Sequence, residues 1–293
     1  MEIRLLKYFV AIAEEGTVSK AAEVLHITQP TLSRQLKELE TQLDTELFTR
    51  DKNRLRLTQA GLFLKSRATE ILELSDRTEQ EFQSQRRQLF SGHISIGCIE
   101  ADNSDTMSLM LEEFIADYPE VTFNIYTGTS DEIVDRIDKG LLDLAILLEP
   151  INTDKYHKII LPRVERWGLL VSDESFLADS KTIKPDDLTG IPLIISGRSE
   201  VQNLLSNWAN KSVEAMNVIG NFNLVFNVIS LVERQVGSAI GIEGAPTYTS
   251  GTKFIPFEPA MKTNCVLAWR KERETSPVVR EFIRYFREAF EKG

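Results

Sequence analysis

Between Thr28 and Lys37 the chain reads Thr-Gln-Pro-Thr-Leu-Ser-Arg-Gln-Leu-Lys, a run in which amides, hydroxyls and cations alternate with leucines. Gln29, Thr31 and Ser33 carry short donors and acceptors of the kind that meet base edges. Arg34 and Lys37 carry charge that suits phosphate oxygens. Leu32, Leu36 and Leu39 fall at helical spacing and make one apolar stripe, leaving the polar groups on the other faces. A helix with leucines behind and small polar or cationic groups in front has the shape and chemistry to lie in a DNA major groove. A polar face is more often simply a solvated one, so this helix decides nothing alone.

The neighbouring segments must hold such a helix in place. Leu5, Leu6, Phe9, Ile12 and Ala13 trace one face of a first helix that ends at Gly16. The same stretch faintly mimics a signal peptide, but its apolar run is too short. A second, short helix follows, with Ala21, Ala22 and Leu25 at its i, i+1 and i+4 positions, small enough for close crossing by a third. Thr28 is placed to cap that third helix by accepting a backbone N–H, and Pro30 falls in its first turn, where a missing donor costs little. Downstream, Leu47, Phe48, Leu55 and Leu57 anchor a hairpin whose tip carries Arg50, Lys52, Arg54 and Arg56. Helix, turn, helix and basic wing in this order predict a winged helix-turn-helix over residues 1–58 that binds DNA through Ser19, Thr28, Gln29, Pro30, Thr31, Ser33, Arg34, Lys37, Arg50 and Arg54.

Residues 1–65 resemble the N-terminal domain of LysR-type transcriptional regulators. The match is carried by Phe9, Ala11 and Ala13, Ser19 with Ala21-Ala22, the run Thr28 to Leu36, Leu39-Glu40, Leu47-Phe48 with Arg50, and Leu57-Thr58 with Ala60-Gly61. The resemblance implies a homodimer or a homotetramer built as a dimer of dimers. It also implies promoter DNA as target, a small-molecule effector, RNA polymerase as a partner, and no enzymatic activity.

Composition is less informative. The 293 residues suit two or three domains, and 42% hydrophobic with 27% charged content is that of an ordinary globular protein. The net charge of -10 is opposite to that of a bulk nucleic-acid binder. Residues 1–65 hold ten Lys and Arg against nine Asp and Glu, so the acidity lies downstream and DNA affinity must come from a local arrangement of cations, helped by dimerisation. No apolar run approaches the roughly 18 residues of a membrane span, and a cytoplasmic location with no membrane partner is expected. Cys98 and Cys265 form no ligand spacing and read as buried, reduced thiols, while His26, His93 and His157 are far apart. No metal or cofactor is expected.

From Gln59 to Leu89 the chain reads as one linker helix, within a linker segment of 59–90. Leu64, Ala68, Ile71, Ser75, Thr78, Phe82, Gln85 and Leu89 step as a heptad seam for dimerisation. Ser91-Gly92 breaks it, and alternating strands and helices follow. Strands are expected at His93–Gly97, over the alternating Val121, Phe123 and Ile125, over Leu141–Leu148, Trp167–Val171, Pro192–Ser196, Ser238–Ile242 and Cys265–Trp269, in an open, mostly parallel sheet. The chain closes with a helix started by Ser276-Pro277 that should return to the first subdomain. This part resembles the LysR-type effector domain, itself similar to periplasmic solute-binding proteins, through Ile96-Gly97, Tyr118-Pro119, Gly128 with Ser130, Gly140 to Ile146, Pro192 to Ile194, and Val236-Gly237 with Ile240. The expected fold class is therefore α/β with an all-α, winged N-terminal domain. The effector domain has subdomain I over 91–162 and 266–293 and subdomain II over 163–265.

In open α/β sheets ligands bind beyond the carboxyl ends of strands, where helix N-termini offer free N–H groups. That rule and the resemblance select the same loops: Glu100, Asn103 and Ser104; Thr129 and Ser130; Ser196 and Arg198; and Asn223. Each of these residues could equally be a helix cap or part of a surface turn. Arg198 could clamp a carboxylate. Glu243 departs from the family pattern and puts an acid near the cleft opposite Glu100, which would suit a ligand bearing an amine or several hydroxyls. An enzyme or transport protein with an accessory DNA-binding domain is one competing reading, and an architectural DNA-binding protein with an empty effector domain is another. Against the first, there is no Gly-rich phosphate loop, nucleophile elbow or metal cluster in the sequence.

Overall fold

Apolar residues at helical spacing draw the first three helices together. Leu5, Leu6, Phe9 and Ile12 share the buried face of α1 (Ile3–Glu15), which Gly16 ends in the left-handed region at φ 70°. In α2 (Val18–Val24) and α3 (Gln29–Gln42) the buried residues are Ala21 and Ala22, then Leu32 and Leu39, so α2 offers only methyl groups where α3 crosses it. A computed structural model describes residues 1–51, 54–85, 91–244 and 251–290, with the backbone alone at 50–51 and 80–85. The wing is the antiparallel pair β1 (Phe48–Asp51) and β2 (Arg54–Leu57), and Phe48 meets Phe9 at 5.4 Å between ring centroids.

The linker helix α4 (Gln59–Gln85) corrects the sequence reading of its seam. Leu64 and Ala68, expected at a partner, are 8% and 0% exposed and belong to the core formed with α1. Spacing of three and four residues marks an apolar stripe without saying which body it faces. Among its described side chains the exposed large apolar residues are Leu62, Phe63, Ile71 and Leu74. The side chains of Phe82 and Gln85, and Leu89 altogether, lie outside the described residues.

The second unit begins with β3 (His93–Cys98), α5 (Asn103–Asp117), β4 (Thr122–Thr127), α6 (Ser130–Asp138) and β5 (Leu144–Leu148). Next come β6 (Tyr156–Ser172), β7 (Leu193–Ser196), α7 (Ser199–Ala209), β8 (Val218–Phe222) and α8 (Phe226–Glu233). It closes with β9 (Ser238–Ile242), β10 (Thr252–Pro256), β11 (Lys262–Arg270) and α9 (Pro277–Phe290). Its described strands run β4-β3-β5-β11-β6-β9-β7-β8, with β10 on β6.

The sheet is mixed rather than mostly parallel. Pairing is parallel around β3 and around β7, as βαβ units require, but antiparallel wherever β6 or β11 takes part. These two strands run between two α/β lobes and are paired with each other along Tyr156–Ile160 and again at Val164–Arg166, with a register shift at Asn264/Val266. β6 spans 17 residues where a strand from Trp167 was expected, because Pro162 and the charged Arg163, Glu165 and Arg166 interrupt its apolar pattern. α9 returns to the first lobe, where Phe282 and Tyr285 meet Phe114 of α5 at 5.0 and 5.1 Å.

Candidate nucleic-acid interface and interlobe cleft

On α3 the leucine stripe is turned inward, leaving Gln29, Pro30, Arg34 and Lys37 exposed and Thr31 and Ser33 half-buried. Gln29 Nε2 donates to Ser33 Oγ at 3.0 Å, which holds two candidate base-reading groups in one arrangement. Thr28 stands at the cap position, but its hydroxyl bonds the Thr31 hydroxyl at 2.8 Å instead of accepting the expected backbone N–H. His26 makes the turn before it at φ 53°. Ser19 is exposed on α2, whose cap is Thr17, accepting from Lys20 N at 3.3 Å. Arg54 is exposed on β2 opposite Asp51. The side chain of Arg50 lies outside the described residues, as does Lys52.

In the second unit, the loops after β3, β4, β7 and β8 converge on a cavity of about 90 Å3 between the lobes. Glu100, Thr129, Ser130, Ser196, Arg198 and Asn223 all line it. Thr129 and Glu132 form a reciprocal cap on α6, with Thr129 N donating to Glu132 Oε2 at 2.8 Å. Ser130 Oγ accepts from Leu148 N at 3.3 Å, and Ser196 Oγ accepts from Arg198 N at 3.3 Å. Asn223 Oδ1 accepts from Leu224 N at 2.9 Å.

Among the described residues, contacts from both lobes cross the cleft. Glu100, from the first lobe, accepts Val225 N at 2.8 Å on the N-terminal side of α8 in the second. Arg198, from the second lobe, clamps Asp131 of the first through Nε at 3.2 Å and Nη2 at 3.4 Å, and donates to Pro150 O at 3.3 Å. The carboxylate that Arg198 holds is thus one of the chain's own.

Three expected residues do not line the cavity. Asn103 is 0% exposed and gives its Nδ2 to Glu165 Oε1 at 2.7 Å and to Arg163 O at 2.9 Å. The Ser104 hydroxyl donates to Ile99 O at 3.2 Å. Glu243 pairs with Arg166 Nε at 2.6 Å, so the second acid expected in the cleft is neutralised by a cation of β6 just beyond Pro162 and Arg163. The cavity walls missed by the sequence reading are apolar: Leu148, Trp167, Val201, Ile240 and Ile242 among them. Alternating strand pattern could have marked Ile240 and Ile242 as core, but not as walls of a cleft.

Beneath the cleft the buried Glu165 of β6 collects the N-terminus of α5, accepting Asn103 N at 3.1 Å and Asp102 N at 3.3 Å. Burial pushes its carboxyl above the ordinary range, against the opposing effect of those hydrogen bonds. The Cys265 thiol donates to the same carboxylate at 3.5 Å and is pushed up by burial and by that negative neighbour; burial also raises Cys98. Both thiols are thereby held in the protonated form. Among the described residues no group of three His, Cys, Asp or Glu side chains could hold a metal ion, and no helix is long and apolar enough to cross a membrane.

A winged helix-turn-helix and a two-lobed α/β unit with a lined cleft define the class of DNA-binding transcriptional regulators. Residues 3–62 match the bacterial regulatory helix-turn-helix of the lysR family, and residues 87–291 match the LysR substrate binding domain. The chain belongs to the LysR family. It is 28% identical to the HTH-type transcriptional regulator BsdA of Bacillus subtilis, over 98% of this chain and 100% of that one. It is 25% identical to the HTH-type transcriptional regulator CzcR of Bacillus anthracis, over 84% and 80%. In fold it resembles CbnR, a LysR family transcriptional regulator, with a TM-score of 0.78, 24% identity and 99% coverage of both chains. CbnR in complex with its target DNA gives a TM-score of 0.76 at 23% identity, covering 99% of this chain and 100% of that one.

Proposed function

We propose that this chain is an effector-controlled regulator of promoter activity, read out at DNA by α3 and the wing and governed by a small molecule in the interlobe cleft. The observation that carries the reading is the cleft itself, where two lobes joined by β6 and β11 meet through the Glu100–Val225 and Arg198–Asp131 contacts. A ligand that binds one arrangement of the lobes better than another shifts their population by that difference in affinity. The lobes divide at 162/163 and 265/266, inside β6 and β11, and the preceding parts at 58/59 and 90/91. Ser19, Thr28, Gln29, Pro30, Thr31, Ser33, Arg34, Lys37, Arg50 and Arg54 contact DNA, with Gln29 and Arg34 reading bases and Arg50 and Arg54 on phosphates. The protein works in the cytoplasm as a homo-oligomer paired through the exposed stripe of α4, with RNA polymerase as its promoter partner, and catalyses no reaction.

Footprinting of the full chain on DNA flanking its own gene, with and without compounds that raise its melting temperature, tests the reading. A stabilising compound should change the footprint. Gly241 lines the cleft, and a Cβ built on it meets nothing within 4 Å, so Gly241→Phe should fill the cavity and abolish the response. An unchanged response in that folded variant removes the cleft from the account.

A further inference from the structure

Two opposite charges line the cavity, each presented by a different lobe: Glu100 from the first and Arg198 from the second. Glu243, the other acid expected there, is engaged by Arg166 at 2.6 Å. Glu100 uses Oε2 on Val225 N, and among the described residues its Oε1 has no hydrogen bond. Arg198 is 9% exposed by its side chain while its partner Asp131 is 56% exposed. If a ligand carboxylate takes the guanidinium, Asp131 is left facing water, where an unpaired carboxylate costs little, whereas Arg198 stays inside and paired.

The remaining surface narrows the ligand class. The hydroxyls of Ser130 and Ser196 already accept backbone N–H groups, and Thr129 is engaged in the α6 cap. The O–H groups of Ser130 and Ser196 remain as donors, which suit a ligand carboxylate. Leu148, Trp167, Ile240 and Ile242 supply an apolar wall. By the measure in which one water needs about 10–15 Å3, the cavity's about 90 Å3 suits a ligand of a few to ten non-hydrogen atoms.

We propose that the effector is a small zwitterion of α-amino-acid type with an apolar side chain, its ammonium on Glu100, its carboxylate on Arg198 and its side chain on the apolar wall. A ligand with a carboxylate alone brings a second negative charge to Glu100, and one with an amine alone brings a second positive charge to Arg198; either leaves one desolvated charge opposed. The zwitterion meets both and ties one lobe to the other. This assignment rests on the cleft being the effector site.

The test uses the full chain, with thermal shift and calorimetric titration of L-leucine, L-valine and L-methionine. For L-leucine the matched controls are 4-methylpentanoate, which lacks the ammonium, and 3-methylbutylamine, which lacks the carboxylate. At least one amino acid should bind, each single-charge analogue at least tenfold more weakly. Glu100→Gln should weaken the amino acid at least tenfold and improve the carboxylate analogue relative to it. If no amino acid binds, or if 4-methylpentanoate binds as well as L-leucine, the ligand class is wrong while the effector site stands. If an amino acid binds Gly241→Phe and, as a second blocking variant, Val201→Trp as tightly as the parent chain, both variants retaining DNA binding, then the site itself is wrong.

Discussion

Substituting Gly61 by alanine sets two effects of opposite sign against each other. Gly61 lies in the opening turns of α4, and helix propensity alone favours alanine there by about 0.8–1 kcal/mol. The surroundings oppose it. A Cβ at Gly61 would stand 2.2 Å from Leu47 O and 2.9 Å from Leu57 Cδ2, and the nearer neighbour is backbone that no rotamer change can clear. That backbone is pinned, since Thr58 N donates to Leu47 O at 3.0 Å, Thr58 Oγ1 to Glu46 O at 2.9 Å and Gly61 N to Thr58 Oγ1 at 3.0 Å. Overpacking of this kind costs about 1–3 kcal/mol, and an overlap of about an ångström with main chain belongs at the upper end. The net expectation is a loss of about 2 kcal/mol, or roughly 10 °C in the transition of a unit of this size. Calorimetry of the full chain should show that fall in the N-terminal transition alone. Displacement of the wing should also weaken binding to a labelled duplex by fluorescence anisotropy. An N-terminal transition that moves upward would mean that propensity wins and that the wing is not locked to α4 as described.

Other outcomes follow from the same geometry. Phe63→Glu combined with Leu74→Glu, on the exposed stripe of α4, should leave the fold intact, dissociate the oligomer in sedimentation velocity and weaken DNA binding at least tenfold as avidity disappears; an unaltered oligomer would move the interface elsewhere. Arg54→Ala should make the dependence of log affinity on log salt shallower by about 0.9 for each phosphate that the side chain neutralises, and an unchanged slope would deny Arg54 that role. Glu165 has a folded-state pKa raised mainly by burial, so its contribution to stability is full below the ordinary carboxylate range and is lost as pH rises through the raised value. Glu165→Gln should therefore flatten the fall in melting temperature as pH rises above the ordinary carboxylate range; an identical pH profile in the variant would contradict the assignment.

The DNA-reading helix was legible because its evidence is local. The stripe Leu32, Leu36 and Leu39, the Pro30 start and the basic wing all lie within about thirty residues and depend on helical spacing and turn chemistry. The cleft was legible in part. Strand ends and helix starts pointed to loops that converge, and Glu100, Thr129, Ser130, Ser196, Arg198 and Asn223 line one cavity. Asn103 and Ser104 follow the same strand as Glu100 but turn inward, toward Glu165 and Ile99. Side-chain direction at a helix N-terminus depends on what is buried beneath it, and Glu165 is 62 residues from Asn103.

Local pattern by itself determined the winged helix-turn-helix, the alternation of strands and helices and the family, since each rests on residues close together in the chain. Tertiary structure decided the rest. Leu64 and Ala68 belong to the domain core rather than a partner, β6 runs through Pro162 as a single strand, and Glu243 is neutralised by Arg166. It also sets Arg198 against Asp131 and Glu100 against Val225 across the cleft. The physical reason is common to all of these. An apolar stripe or a charge specifies what it needs, burial or a counter-charge, but only the folded chain determines which distant residue supplies it.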